Sequence, residues 1–174
     1  MSDECVSRSK EWRVVPWLLI AGVGILYVAG VSQYWNLATD SISYLSLGRS
    51  LASGDGYSTN GIPNVSRPPG LPAILAAVEV FRGDDFRLMR LVMALLVIAS
   101  FFLLFPLIGK LTTRLTALVI TLITALSFPA FHYSTRLLSE APYLFCSLLS
   151  LLALDRLVSG RGRWWCGQSS AEWQ

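Results

Sequence analysis

An aspartate one turn ahead of a tyrosine, an arginine beside two prolines, and an arginine one turn ahead of a glutamate are the groups in this chain best suited to chemistry. They are Asp40 with Tyr44, Arg67 before Pro68 and Pro69, and Arg136 with Glu140. Residues four apart on a helix share a face, so Asp40 and Tyr44 can hold one ligand. A carboxylate at a membrane surface can take a proton from an acceptor hydroxyl. The plainer alternative for Asp40 is a helix cap on a wet surface, and for Tyr44 an interfacial ring at the depth tyrosine favours. A guanidinium stiffened by prolines suits phosphate or carboxylate, against a solvated loop arginine. Arg136 and Glu140 read as an ion pair anchoring a bend. Alternatively Glu140 is a functional carboxylate near the apolar boundary, where ionisable groups are costly.

Other chemistries lack their residues. His132 is the single histidine, so neither a zinc site nor a nucleophilic triad can form around it. Cys5, Cys146 and Cys166 have no metal-ligand spacing, and Cys146 sits in an apolar run where cysteine acts as a small hydrophobe. Cys5 and Cys166 fall on one inferred side of the membrane, which argues against a disulfide framework. No Gly-rich phosphate loop, H-E-x-x-H or G-x-S-x-G occurs. Asn64-Val65-Ser66 matches the glycosylation acceptor pattern, a triplet common by chance.

The elements that must position these groups are mostly membrane helices. Of 174 residues, 53% are apolar and 14% charged, well below the roughly 25% charge of soluble domains. The net charge of +3 is small and scattered, which excludes nucleic acid as a partner. Val14 to Tyr34 runs without a charge and is long enough to cross a hydrocarbon core of about 30 Å. A signal peptide is the rival reading, but the run exceeds an h-region and no clear A-x-A site follows. Asp40 to Ser53 predicts an amphipathic interfacial helix, with Asp40 as N-cap and Gly54 after its end. A polar loop follows, and Pro68-Pro69 exclude helix there. Leu71 to Phe81 is too short to cross and predicts a second surface or re-entrant helix, closed by Arg82-Gly83-Asp84-Asp85. Further crossings are predicted over Leu91–Gly109, Leu115–Thr135 (broken near Pro129) and Leu137–Leu154, with Phe86 to Arg90 as a lead-in and Lys110 to Arg114 as a basic loop. The expected fold is an all-α integral membrane protein with about four transmembrane helices and one or two interfacial helices in its first outer loop.

Four crossings put both termini on one side, with Arg8, Lys10, Arg13, Lys110, Arg114, Arg156, Arg161 and Arg163. The longer opposite side carries Arg49, Arg67, Arg82, Arg87, Arg90 and Arg136. The positive-inside rule then assigns the termini to the cytoplasm and residues 35–90 to the outside. The three long crossings carry no charge at their centres, which favours a surface-loop enzyme over a transporter fragment.

Together these segments carry a resemblance. A first membrane helix, D-x-x-x-Y in a helix ending L-A-S-G-D-G-Y, then R-P-P-G-L-P, then L-L-S-E-A-P-Y opening a later helix resembles the GT-C membrane glycosyltransferases. The nearest branch is glycosyltransferase family 39, the dolichyl-phosphate-mannose-protein mannosyltransferase-like group, over residues 14–160. The resemblance implies transfer of a sugar from a polyprenyl-phosphate carrier to an acceptor at the outer face of a plasma membrane. It implies Asp40 as general base or acceptor-positioning acid, Arg67 in a loop closing over the site, and Ser139-Glu140 as the matching S-E pair. Tyr44 would hold the same ligand, and Arg136 is our own candidate for the lipid phosphate. The second carboxylate of the protein mannosyltransferases is Ser41 here, a departure from protein mannosylation. No cofactor is certain, and a divalent metal is left open. Family members run to several hundred residues, so residues 1–160 are expected to be the N-terminal part of a GT-C domain, with 161–174 a truncated or frameshifted tail. Such a chain is expected to be inactive by itself. A non-catalytic membrane protein binding lipid-linked sugars or a partner is the alternative from another class.

Overall fold

In the computed structural model, which describes residues 2–31 and 39–168, helices carry almost the whole chain. In order they are α1 (Ser2–Ala29), α2 (Thr39–Ser53), α3 (Gly70–Arg82), α4 (Phe86–Gly109), α5 (Arg114–Ala125), α6 (Phe128–Ser134) and α7 (Glu140–Gln168). A small hairpin, β1 (Ser58–Thr59) and β2 (Ile62–Pro63), lies between α2 and α3. The protein is an all-α membrane protein.

The central helix is α4. Its sequence is apolar on every side, and both α1 and α7 pack along it. Asp85 opens it as N-cap, its side chain accepting a hydrogen bond from the Leu88 amide at 3.0 Å. The predicted lead-in from Phe86 is therefore the first turn of the helix itself. At 24 residues it is about 36 Å long, enough to span a bilayer. The stretch Glu140–Val158 of α7 is the second helix long and apolar enough to cross. A third crossing exists if α5 and α6 act as one broken span, bent by 58°. Ser127 caps the new helix at the break and Pro129 lies in its first turn, as the proline predicts. The apolar stretch of α1 is Val14–Ala29, shorter than the predicted Val14–Tyr34 because the helix stops before Gly30. The continuation to Tyr34, the side chains of Cys5 and Cys166 and those of the terminal arginines lie outside the described residues. Two or three spans, rather than four, are thus long enough among the described residues. The predicted tail from Arg161 continues as the last turns of α7.

The core runs between α1 and α4. Tyr27 stacks edge-on against Phe101 and Phe131, and Trp17 packs on Phe102 and Phe105. The Tyr27 hydroxyl donates to the Ala125 carbonyl at 2.6 Å. That carbonyl belongs to the last residue of α5, where the bend removes the next helical turn, so the tyrosine meets a group the break leaves open.

The same core continues into α2, which lies against α3. Gly48 faces Leu75 so closely that an added Cβ would stand 2.9 Å from the Leu75 Cβ. This contact sets how α2 is rotated. Ser41, Tyr44, Leu45 and Leu47 turn inward and Ile42 outward, so the buried face is shifted from the purely apolar one the pattern predicts. The loop expected after Gly54 contains a hairpin turned on Asn60-Gly61, with φ of 53° and 77°. An Asn-Gly pair adopts that left-handed turn readily.

Candidate functional site

At the start of α2, Asp40 is not the N-cap. Helix begins at Thr39, and Asp40 lies in the first turn, where a carboxylate opposes the positive end of the helix dipole. Its side chain is half-exposed and meets Arg67, whose Nη2 donates to Oδ1 at 2.6 Å. The same guanidinium lies 5.5 Å from the centre of the Tyr44 ring, a cation–π distance. One arginine thus bridges both groups of the D-x-x-x-Y pair. The bond to the Asp40 carboxylate, foremost, holds the Arg67 guanidinium above even its ordinary high pKa.

Arg67 is held from behind. The Tyr57 hydroxyl donates to the Arg67 carbonyl at 2.9 Å. Burial pushes the Tyr57 phenol up, with the neighbouring Tyr44 adding to it and Arg67 opposing. Tyr57 was not a predicted site residue, although it ends the L-A-S-G-D-G-Y segment. Its signal was an aromatic just beyond a Gly-Asp-Gly turn.

Tyr44 is buried and reaches across to the membrane helices. Its hydroxyl donates to Ser139 Oγ at 3.3 Å. Ser139 sits just before α7, its carbonyl accepting from the Tyr143 amide at 3.0 Å. Glu140 follows as the first residue of α7, exposed and favourably placed at the helix N-terminus. Asp40, Tyr44, Arg67 and the Ser139-Glu140 pair, far apart in sequence, therefore form one continuous cluster.

Arg136 is placed differently from the ion-pair reading. No ion pair joins it to Glu140 among the described residues. Arg90, buried in the first turns of α4, lies within electrostatic reach of it. Sequence reasoning missed Arg90 by assigning it to a lead-in segment. A cation that an apolar helix carries inward is itself the signal. Two guanidinium groups within electrostatic reach of each other favour an anion nearby.

Next to the cluster lies a cavity of about 420 Å³, its walls mostly apolar: Pro68, Leu71, Pro142, Tyr143 and Cys146, with Ser139 and Glu140 at the polar end. Cys146 is exposed along this wall. Ser41, where a second carboxylate would follow Asp40, is buried and its Oγ has no partner. An ionised carboxylate turned the same way would lose its water without compensation. No group of three metal-ligating side chains occurs among the described residues.

Helices that cross a membrane and a polar cluster at one helix end, beside an apolar cavity, define a helical membrane protein with an interfacial site. The family profile described as dolichyl-phosphate-mannose-protein mannosyltransferase matches residues 66–170, and the chain belongs to that family. It is a glycosyltransferase-like membrane protein. No curated protein matches it. No solved structure does either.

Proposed function

We propose that this chain carries the donor and acceptor side of a glycosyltransferase that moves a sugar from a polyprenyl-phosphate to an acceptor hydroxyl at the outer face of the plasma membrane. The observation that carries the reading is the bridge from Arg67 to both Asp40 and Tyr44, beside an apolar cavity that suits a prenyl chain. In this orientation residues 35–90 lie outside and the termini in the cytoplasm. The basic residues of the shorter side support it: Arg8, Lys10, Arg13, Lys110, Arg114 and Arg156 fall together there, as the positive-inside rule asks of a cytoplasmic side.

The chemistry is a single displacement. The acceptor oxygen forms a bond to the anomeric carbon as the bond from that carbon to the phosphate oxygen breaks. Asp40 takes the acceptor's proton. Arg67 occupies Oδ1, so the proton would go to the other carboxylate oxygen. The leaving phosphate gains negative charge, and Arg136 with Arg90 would stabilise it. Glu140, at the polar mouth of the cavity, would orient the sugar.

A second reading has an observation of its own. The closed Asp40–Arg67 pair also fits a protein that binds lipid-linked sugar without transferring it.

Membranes containing the native gene product, or its Asp40→Asn variant, distinguish the two when given a labelled polyprenyl-phosphate sugar. Donor retention and product are both measured. We expect Asp40→Asn to keep donor binding and reduce transfer by about 100-fold or more, the usual scale for a lost general base. Unchanged transfer removes Asp40 from the mechanism. Donor binding without transfer favours the second reading when it is found in a longer parent protein that carries this chain.

A further inference from the structure

A second, larger cavity lies away from Asp40. It opens at the far end of α2, between that helix, the hairpin and α3, with a volume of about 990 Å³. This lies at the upper end of the range for small-ligand sites, roughly 300–1,000 Å³. Arg49 and Ser50 on its wall are nine and ten residues from Asp40, about 14 Å along the helix axis. A group bound here does not touch the Asp40 carboxylate.

Its lining is predominantly polar. The hydroxyls of Ser50, Ser53 and Ser58 bond to one another and to Gly56, Asp55 and Arg49, which leaves their lone pairs to accept, and Asn60 adds an amide. Asp55, Glu79 and Asp84 contribute carboxylates against the one guanidinium of Arg49. Arg49 is already engaged by Asp84 and lies over the Phe86 ring. The lining therefore carries excess negative charge with its cation occupied, which disfavours phosphates and uronic acids. Its polarity disfavours a lipid tail. One acceptor is also unmet: Glu79 Oε2 is buried without a hydrogen-bond partner.

A wall rich in acceptors matches the many hydroxyl donors of a sugar ring. We propose that this cavity is a second binding site, taking a saccharide that is uncharged or carries a free amine. The Asp55 and Glu79 carboxylates on the wall would accept from a ligand hydroxyl or ammonium, and the exposed Asp55 favours the amine. The inference goes beyond the transfer reading and does not depend on it, because it requires binding alone.

The test is saturation-transfer NMR and calorimetry on the chain in detergent micelles, with maltotriose, triglucosamine and trigalacturonate as probes. We expect the first two to bind and the anionic trisaccharide to be rejected. Ala52→Trp, which fills the cavity from α2, should abolish binding. Asp55→Asn with Glu79→Gln should weaken triglucosamine by about fivefold, as for one or two partly exposed charge contacts, and leave maltotriose nearly unchanged. The second variant retains shape, so it keeps the test open if Ala52→Trp misfolds. Asp40→Asn should bind all probes like the native chain. Absence of binding by every probe, equal binding of trigalacturonate, or native binding in the filled variant overturns the proposal. Transfer activity does not enter any of these readouts, so failure here leaves the reaction at Asp40 standing.

Discussion

Arg67 shows how much one side chain can organise. It holds Asp40 by charge and Tyr44 by its ring face, and Tyr57 anchors its backbone. Arg67→Lys keeps the charge but loses the planar fork, and we expect it to retain only part of the transfer that Arg67→Ala abolishes. Tyr44→Phe keeps the ring under the cation and removes the bond to Ser139. It should cost about 1 kcal/mol of stability by thermal unfolding, with a larger loss for Tyr44→Ala. The residue types were legible in the sequence: Asp40, Tyr44 and Arg67 are the groups that meet. Their mutual arrangement was not, because a loop arginine has no periodicity to reveal which helix it will face. Arg136 went astray for the opposite reason. A spacing of four suggests pairing along a helix, but α6 ends at Ser134 and α7 begins at Glu140, so no helix joins the two.

Glu79 carries a pH dependence of defined sign. Burial, first, and the neighbouring Asp84 raise its carboxyl above the ordinary range, while Arg49 opposes them. A raised folded-state value means the folded protein holds this proton more tightly than the unfolded chain. Stability from this group is therefore fully present below the ordinary carboxyl value and is lost as pH rises through the window up to the raised one. We expect Glu79→Gln to flatten that part of the unfolding-versus-pH curve and to be stabilising at neutral pH. A variant that leaves the slope unchanged removes Glu79 as its source.

At the scale of elements, α2 and α3 behave as one unit because Gly48 lets them touch. Gly48→Val puts two methyls and a Cβ against Leu75 and the Pro72 carbonyl, the latter only 3.3 Å from the added Cβ. We expect a loss of about 1–3 kcal/mol, the usual cost of overpacking, seen as a lower unfolding midpoint. Asp85→Ala removes the cap of α4 and should cost about 1 kcal/mol. Most element boundaries were readable from capping residues, prolines and apolar runs, as at Gly70, Gly109 and the break before Pro129. The hairpin was not foreseen, although Asn60-Gly61 states its turn. Its strands are two residues each, too short to leave an alternating pattern. The rotation of α2 was also hidden, since hydrophobicity favours Ile42 inside and only the close approach at Gly48 turns Ser41 inward instead.

On the scale of the whole molecule, two helix ends carry separate polar work. Lys110, just past the end of α4, pairs with Asp155 on α7 at one end, and the Asp40 cluster occupies the other. The composition alone announced the membrane class, because apolar runs of that length have few other uses. It did not reveal the 58° angle at the Pro129 break between α5 and α6, where Tyr27 meets the Ala125 carbonyl that the break leaves open. Tyr27→Phe leaves that buried carbonyl without its partner. We expect a loss of about 1–3 kcal/mol, read by unfolding in micelles. The outward faces of α5 and α7 are rich in exposed leucine and isoleucine, including Ile123, Leu149, Leu151 and Leu154. Acyl chains suit such faces.

The thiol of Cys146 gives the chain a built-in reporter. It is exposed on the wall of the apolar cavity beside the Ser139-Glu140 corner. In a background of Cys5→Ser and Cys166→Ser, a small lipophilic maleimide should label it faster than a charged one of the same size. A prenyl chain lodged in the cavity should shield it, so the labelling rate becomes a direct gauge of occupancy. The protein's affinity for a carrier lipid can then be followed with no sugar, acceptor or turnover in the tube.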